Sequence, residues 1–142
     1  MASVKDLKII AKELKIQDYW KMKKSELILA IDYYVHPILY IYAKKDKSNE
    51  PVNDDITEKM KNIFNSCKVT GAYMNGNFHK NISFMGIHTC ICGAHSESRD
   101  YLLTDHYATN TLCVHYLQYH RDEISEDELN KIELMFAEFD KK

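Results

Sequence analysis

Two short runs constrain this chain more than anything else in it. They are His88-Thr89-Cys90-Ile91-Cys92-Gly93-Ala94-His95 and Cys113-Val114-His115-Tyr116-Leu117-Gln118-Tyr119-His120. Three of the four cysteines and four of the seven histidines fall in them, with His106 between. Thiolate and imidazole are the donors that bind zinc, and a Cys-x-Cys-Gly turn facing a His-x4-His helix can close a tetrahedral site. In such a turn, backbone N–H groups point at the thiolates and glycine takes the positive-φ position, here Gly93. Thr109-Asn110-Thr111 offers a cap for a helix from about Leu112 to Arg121. His115 and His120 are five apart on it, a spacing that helical zinc-finger histidines use.

The expected ligands are therefore Cys90, Cys92, His115 and His120, with zinc as the cofactor. Cys113 lies two residues before His115, and a regular helix points the two in divergent directions, which makes Cys113 a reserve. His88, His95 and His106 rank behind it. The second ring nitrogen of each ligating histidine needs an acceptor, for which Asp105 and Asp122 are candidates. A Cys-x-Cys pair is a poor match to redox Cys-x-x-Cys motifs. No His-Glu-x-x-His pattern is present, and neither Cys90 nor Cys113 sits in a recognisable nucleophile context. The site is expected to be structural and the chain non-enzymatic, with no small-molecule substrate.

The chain before these runs decides the rest of the fold. Ser3 with Asp6 reads as an N-cap before a helical apolar series, Val4, Leu7, Ile10, Ala11 and Leu14. Lys5, Lys8, Lys12 and Lys15 take the other face, and the helix is expected to stop near Lys15. Ile16 to Trp20 reads as an extended connector with apolar plugs. A second helix follows from about Lys23, with Leu27, Ile28, Ala30 and Ile31 inward. Pro37 interrupts the apolar run that follows, so a helix end and then a short helix or strand is expected. Lys44 to Asn53 is the most polar run and reads as a linker. Asp54 or Asp55 can cap a helix through Ser66, with Ile56, Met60, Ile63, Phe64 and Cys67 on one face, where Cys67 is a core thiol. Lys68 to Met74, Asn75-Gly76 and Phe78 to Ile87 read as a β-hairpin whose second arm runs directly into Cys90. Asp100 to Thr104 adds a strand. Ser125 with Glu128 is a capping box for a last helix. Leu129, Ile132, Met135, Phe136 and Phe139 form its stripe, and Glu126, Asp127, Glu128, Glu133 and Glu138 its solvent face.

The expected class is α+β: a small N-terminal helix–extended loop–helix module, then a zinc-stabilised β-hairpin with helices. The expected division is residues 1–43 for the module with its apolar extension, 44–53 for the linker and 54–142 for the zinc-binding part.

Net charge is −2, so the chain as a whole is not a basic nucleic-acid binder. The charge is uneven, however: residues 1–47 hold ten Lys/Arg against six Asp/Glu, and residues 121–142 hold four against eight. With no export signal in view, a reducing intracellular setting (host cytoplasm, nucleus or a virion) is expected, with no membrane partner.

Residues Leu7 to Ile16, with Ala11-Lys12-Glu13-Leu14, and Tyr19 to Ile28, with Lys21-Met22-Lys23-Lys24, resemble the N-terminal domain of transcription termination factor Rho, a relative of SAP-type modules. Lys15 and Asp18 stand where that family favours glycine, and Trp20 where it favours serine. The resemblance implies binding to a DNA or RNA backbone, with Lys21, Lys23 and Lys24 on phosphates and Tyr19 and Trp20 stacking. A second likeness runs from His88 to Glu128. Cys90-Ile91-Cys92-Gly93, Thr109 to Leu117 and His120 to Ile124 are similar to a module found in large DNA viruses and in phages or bacteria. It implies a viral source and no particular chemistry. The alternative role is a virion structural or protein-interaction component, docking to virion or host proteins through an exposed Tyr33–Tyr42 surface.

Overall fold

A computed structural model describes residues 3–74, 76–83 and 87–141. Its first helix, α1 (Val4–Glu13), starts on a reciprocal capping box: Ser3 Oγ accepts from the Asp6 N–H at 3.2 Å and the Asp6 carboxylate from the Ser3 N–H at 3.4 Å. The helix ends before Lys15 because Lys15 (φ +59°) turns left-handed, followed by Asp18 (φ +60°). These are the two positions where the family resemblance expects glycine. The tight turn is kept without it, at a cost of about 1–2 kcal/mol per left-handed residue. Lys15→Gly is expected to stabilise the protein by about 0.5 kcal/mol, because glycine's extra freedom in the unfolded chain offsets part of the relief. A urea-denaturation midpoint that falls instead would refute the strain argument.

A 3₁₀ turn (Tyr19–Lys21) leads to α2 (Lys24–Asp32). Leu7, Ala11 and Leu27 form a small core, with Ile16, Tyr19, Met22 and Ile31 around it. Ile28, expected inward, is 38% exposed.

The rest is a five-stranded mixed sheet with helices, in the order β1-β5-β4-β2-β3. Its strands are β1 (His36–Pro37), β2 (Thr70–Met74), β3 (Asn77–Lys80), β4 (Asp100–Thr104) and β5 (Tyr107–Thr109). The chain is therefore α+β. β1 runs parallel to β5 at the sheet edge, where Pro37 removes no ladder donor. Ile38 and Leu39 follow it into the larger core, fully buried, although the sequence groups them with the N-terminal module.

β2 and β3 form the expected hairpin, with Met74 opposite Asn77 and Gly76 at φ +86°; Asn75 lies outside the described residues. The second arm stops at Lys80, well before Ile87, so the hairpin does not deliver Cys90 directly. Asn81 turns left-handed there (φ +64°) and donates its N–H back to Thr70 O at 2.9 Å. Residues 84–86 of the expected arm lie outside the described residues.

Three helices cover the sheet and build the core: α3 (Asp55–Ser66), α4 (Cys113–Tyr119) and α5 (Glu126–Asp140). Asp54 caps α3, accepting from the Thr57 N–H at 3.1 Å, and accepts from both terminal guanidinium nitrogens of Arg121 at 2.6 and 2.7 Å. That guanidinium holds the Asp54 carboxyl well below the usual carboxylate range. The 44–53 run is tied across the end of α4, through Ser48 N–H to Tyr119 O at 3.0 Å and Val52 N–H to Gln118 O at 2.8 Å. On α5, Ile132 and Met135 are fully buried and Phe136 nearly so. Two of its acids do not face solvent as expected. Glu128 accepts the Leu39 N–H at 2.7 Å and pairs with Lys131 at 3.0 Å, while Glu138 accepts from Thr104 and His106.

His106 pins the small module to the larger unit. Its Nδ1 meets the Glu138 carboxylate, and its Nε2 lies 2.8 Å from Asp32 O at the C-terminal end of α2. Both ring nitrogens face acceptors, so only the imidazolium satisfies both, and a helix C-terminus favours that cation. The Glu138 hydrogen bond raises the His106 pKa. A raised folded pKa gives stability that is complete below the unfolded value and lost as pH rises through the folded one. Wild type is therefore expected to lose more stability than His106→Ala between about pH 6 and about pH 8, measured as the difference between their urea midpoints. Equal slopes would show that the pin carries no proton linkage. No helix among the described residues is long and apolar enough to cross a membrane.

Candidate functional site

The Cys-x-Cys segment folds as a miniature hairpin of its own. Thr89 and His95 form a single antiparallel bridge, the Cys90 N–H reaches Ala94 O at 2.7 Å and the Gly93 N–H reaches Cys90 O at 2.9 Å. His88 and Ser96 close the base, with the Ser96 N–H on His88 O at 2.8 Å and the His88 N–H on Ser96 Oγ at 2.9 Å. Gly93 sits at φ +97° with open space where a Cβ would stand, so backbone conformation and not crowding requires glycine.

Across from it, α4 begins where the Asn110 side chain accepts the Leu112 N–H at 2.8 Å. Asn110, within the expected Thr109–Thr111 cluster, thus makes a turn just ahead of the helix, while the N-cap position itself falls to Leu112 and carries no side-chain cap. α4 stops at Tyr119, and His120 leaves the helix at φ −132°. That departure lets His115 and His120 aim the same nitrogen at one point: their Nε2 atoms are 3.2 Å apart. Cys90 Sγ lies 3.2 Å from His120 Nε2, and Cys92 Sγ lies 3.2 Å from His115 Nε2. The ligand atoms of Cys90, Cys92, His115 and His120 all lie within 4.8 Å of one another and could hold a metal ion. A tetrahedron with ordinary zinc bond lengths has edges of about 3.3 Å between nitrogens, about 3.6 Å between nitrogen and sulfur and about 3.8 Å between sulfurs. Three of the six edges, at 3.2 Å, are within a few tenths of an ångström of such a tetrahedron, and the other three, all within 4.8 Å, exceed it by at most about 1 Å.

The surroundings suit ligation. Burial raises the Cys90 thiol and lowers the His115 imidazole, so without metal the pair is neutral, and a bound cation must displace the thiol proton. His120 is buried, and its Nδ1 lies 3.4 Å from Glu123 Oε2, close enough for an ion-pair contact although not an aligned hydrogen bond. Glu123 is itself held by the Lys44 N–H at 2.6 Å and the Lys45 N–H at 3.3 Å. The carboxylate beside His120 Nδ1 is thus Glu123, where Asp105 or Asp122 was expected. Asp122 pairs with Lys45 on the surface at 3.4 Å, and Asp105 lies beside His106. The signal for Glu123 was its position three residues after His120, on the next turn.

The other thiols and imidazoles are elsewhere. Cys113 is fully buried in the core, where burial pushes its thiol up to about 12. Cys67 donates to Leu102 O at 3.0 Å. His88 stacks edge-on against Tyr40, and His95 Nδ1 sits 3.4 Å from Ser96 O.

At the other end of the chain, Trp20 is 58% exposed, and Tyr19 meets its ring edge-on at 5.3 Å while packing on the module's core. Lys21 and Lys23 are exposed and Lys24 half-buried. Lys5, Lys8 and Lys12 line a shallow groove of about 400 Å³ beside Tyr19, extending the basic face beyond the three lysines named from sequence. Residues 2–31 match the family model of the Rho termination factor, N-terminal domain. That match covers α1, the 3₁₀ turn and most of α2, and stops before the sheet. No curated protein and no solved structure matches the chain.

Proposed function

We propose that the chain is a non-enzymatic nucleic-acid-binding protein whose larger unit is stapled by a zinc ion. The observation that carries the first half is the Rho N-terminal domain match, which coincides with an exposed Trp20 set among exposed lysines. Lysines neutralise phosphates, and an exposed indole offers a stacking face that any base can use. The donor set supports zinc in the second half. Two cysteines and two histidines fill a tetrahedron, which leaves no position for a substrate water and favours a structural role. On the resemblance of residues 88–128, we place the source in a large DNA virus.

Titration with DNA and RNA at several salt concentrations tests the nucleic-acid reading. Removing one lysine–phosphate interaction flattens the slope of log K against log salt by roughly 0.7–0.9. Lys21→Glu/Lys23→Glu/Lys24→Glu is expected to weaken binding at least about tenfold at low salt and to flatten that slope by about two to three. Undetectable wild-type binding at low salt, or an unchanged slope, sinks the reading. A protein-docking role needs a continuous Tyr33–Tyr42 face. Tyr33 and Tyr42 are exposed, but Val35, Ile38 and Leu39 between them are buried, which counts against it.

A further inference from the structure

The geometry points to a nucleic-acid interface that leaves the matched module and continues across a cleft onto the β2–β3 hairpin, where unpaired bases of a single strand are held. The inference rests on the reading of the module as a nucleic-acid binder and adds the kind of strand and a second wall. The cleft has a volume of about 1140 Å³. That exceeds the roughly 300–1,000 Å³ of an ordinary small-molecule pocket, so it has room for a run of bases. Trp20, Leu29 and Tyr33 stand on the module side, and Tyr73, Met74 and His79 on the hairpin side.

Four of these are more than half exposed: Trp20 at 58%, Leu29 at 54%, Tyr33 at 73% and Met74 at 51%. Apolar and aromatic surface gathered in one cleft marks a site that something flat and apolar covers. The charges choose among occupants. Lys15 and Asp18 line the cleft, and in the segments that flank its lining Lys12, Lys21, Lys23 and Lys80 stand exposed against Glu13 and Asp32, which leaves the rim net positive. A ligand with aromatic faces and a polyanionic backbone fits both features.

The same shape selects strandedness. A duplex buries its base faces in its own stack and offers only edges and phosphates, whereas an unpaired base can lay its face on Trp20 or Tyr33. The walls are also fixed to each other. The Val35 N–H donates to Gly76 O at 2.8 Å, and a Cβ built at Gly76 would stand 2.2 Å from the Tyr34 ring. The hairpin tip therefore sits directly against the segment leaving α2 and closes the floor of the cleft.

The test uses the full zinc-loaded chain with labelled oligo-dT, oligo-U and a mixed-sequence duplex, read by anisotropy and by the fluorescence of Trp20, the single tryptophan. Both single strands are expected to bind at least about tenfold more tightly than the duplex and to quench Trp20. Tyr33→Ala is expected to weaken single-strand binding roughly five- to a hundred-fold, the range for removal of one stacking partner. Met74→Glu and His79→Glu lie outside the matched module. They are expected to weaken it about tenfold with an unchanged circular dichroism spectrum. Equal affinity for duplex and single strand, or hairpin variants that bind as wild type, overturns the cleft while leaving the module's nucleic-acid role intact. Failure of every oligonucleotide to bind overturns both.

Discussion

Replacing Cys90 and Cys92 by Ser is expected to abolish zinc binding and to lower the melting temperature by on the order of 10 °C. The miniature hairpin of residues 88–96 has one bridge and a few backbone hydrogen bonds, and Ile91 at its tip is 62% exposed. So little burial does not compensate the entropy of ordering nine residues, at about 1–2 kcal/mol each. An ion held by the four donors would supply what is missing. With free zinc about a thousandfold above the dissociation constant, ligand linkage contributes about 4 kcal/mol, and each kcal/mol moves the melting temperature of a chain this size by about 2–4 °C. Elemental analysis of wild type should give about one equivalent of zinc, and a chelator should reproduce the loss of the double variant. Metal-free protein that melts with the wild type would exclude a structural ion. Cys113→Ser is the control: it should leave metal content unchanged, because Cys113 is sealed in the core.

Ile132→Ala is the second change with a large expected effect. Ile132 is fully buried on α5, beside Met135 and Phe136 and in the same core as Met60, Leu117 and Ile38. Truncating such a side chain removes its transfer free energy and leaves a cavity, which together cost about 2–5 kcal/mol. Leu134→Ala, on the opposite face and 63% exposed, should stay within about 0.5 kcal/mol of wild type. Chemical denaturation of the two separates a helix that closes the core from one held in reserve for a partner. Similar midpoints would favour the partner.

The elements most legible in the sequence were those with a local chemical signature. Ser3 with Asp6, Asp54 and Ser125 each mark a helix start that the structure places within a residue, and Asp100 to Thr104 is a strand as expected. Cys-x-Cys-Gly is a short-range pattern that nearly suffices to orient its own donors, whereas His115 and His120 converge only because the helix, expected to run to Arg121, breaks at His120. What escaped the sequence was long-range. Nothing in Glu128 announces a bond to the Leu39 backbone, or in Glu138 a bond to His106, since an acid on a helix surface and an acid under a loop look alike in sequence. The 44–53 run is polar like a linker, yet its amides are spent on the end of α4. The arm beyond Lys80 failed because alternation alone cannot say where a partner strand runs out.

The pairing of β1 with β5 also governs how the protein comes into being. His36 aligns with Tyr107 and Pro37 with Ala108, so this edge of the sheet waits for chain made some seventy residues later. During synthesis the first two helices can settle on their own small core, while Ile38 and Leu39 remain uncovered until the second half of the chain emerges. Cys90 and Cys92 lie inside that long loop, and His115 and His120, which complete the cluster, follow soon after it. Loop closure and completion of the four-donor cluster are thus neighbouring events late in assembly, and a high share of distant pairings of this kind slows folding. A ribosome-stalled chain ending before residue 107 should keep its N-terminal helices and expose its central apolar segment to chaperones.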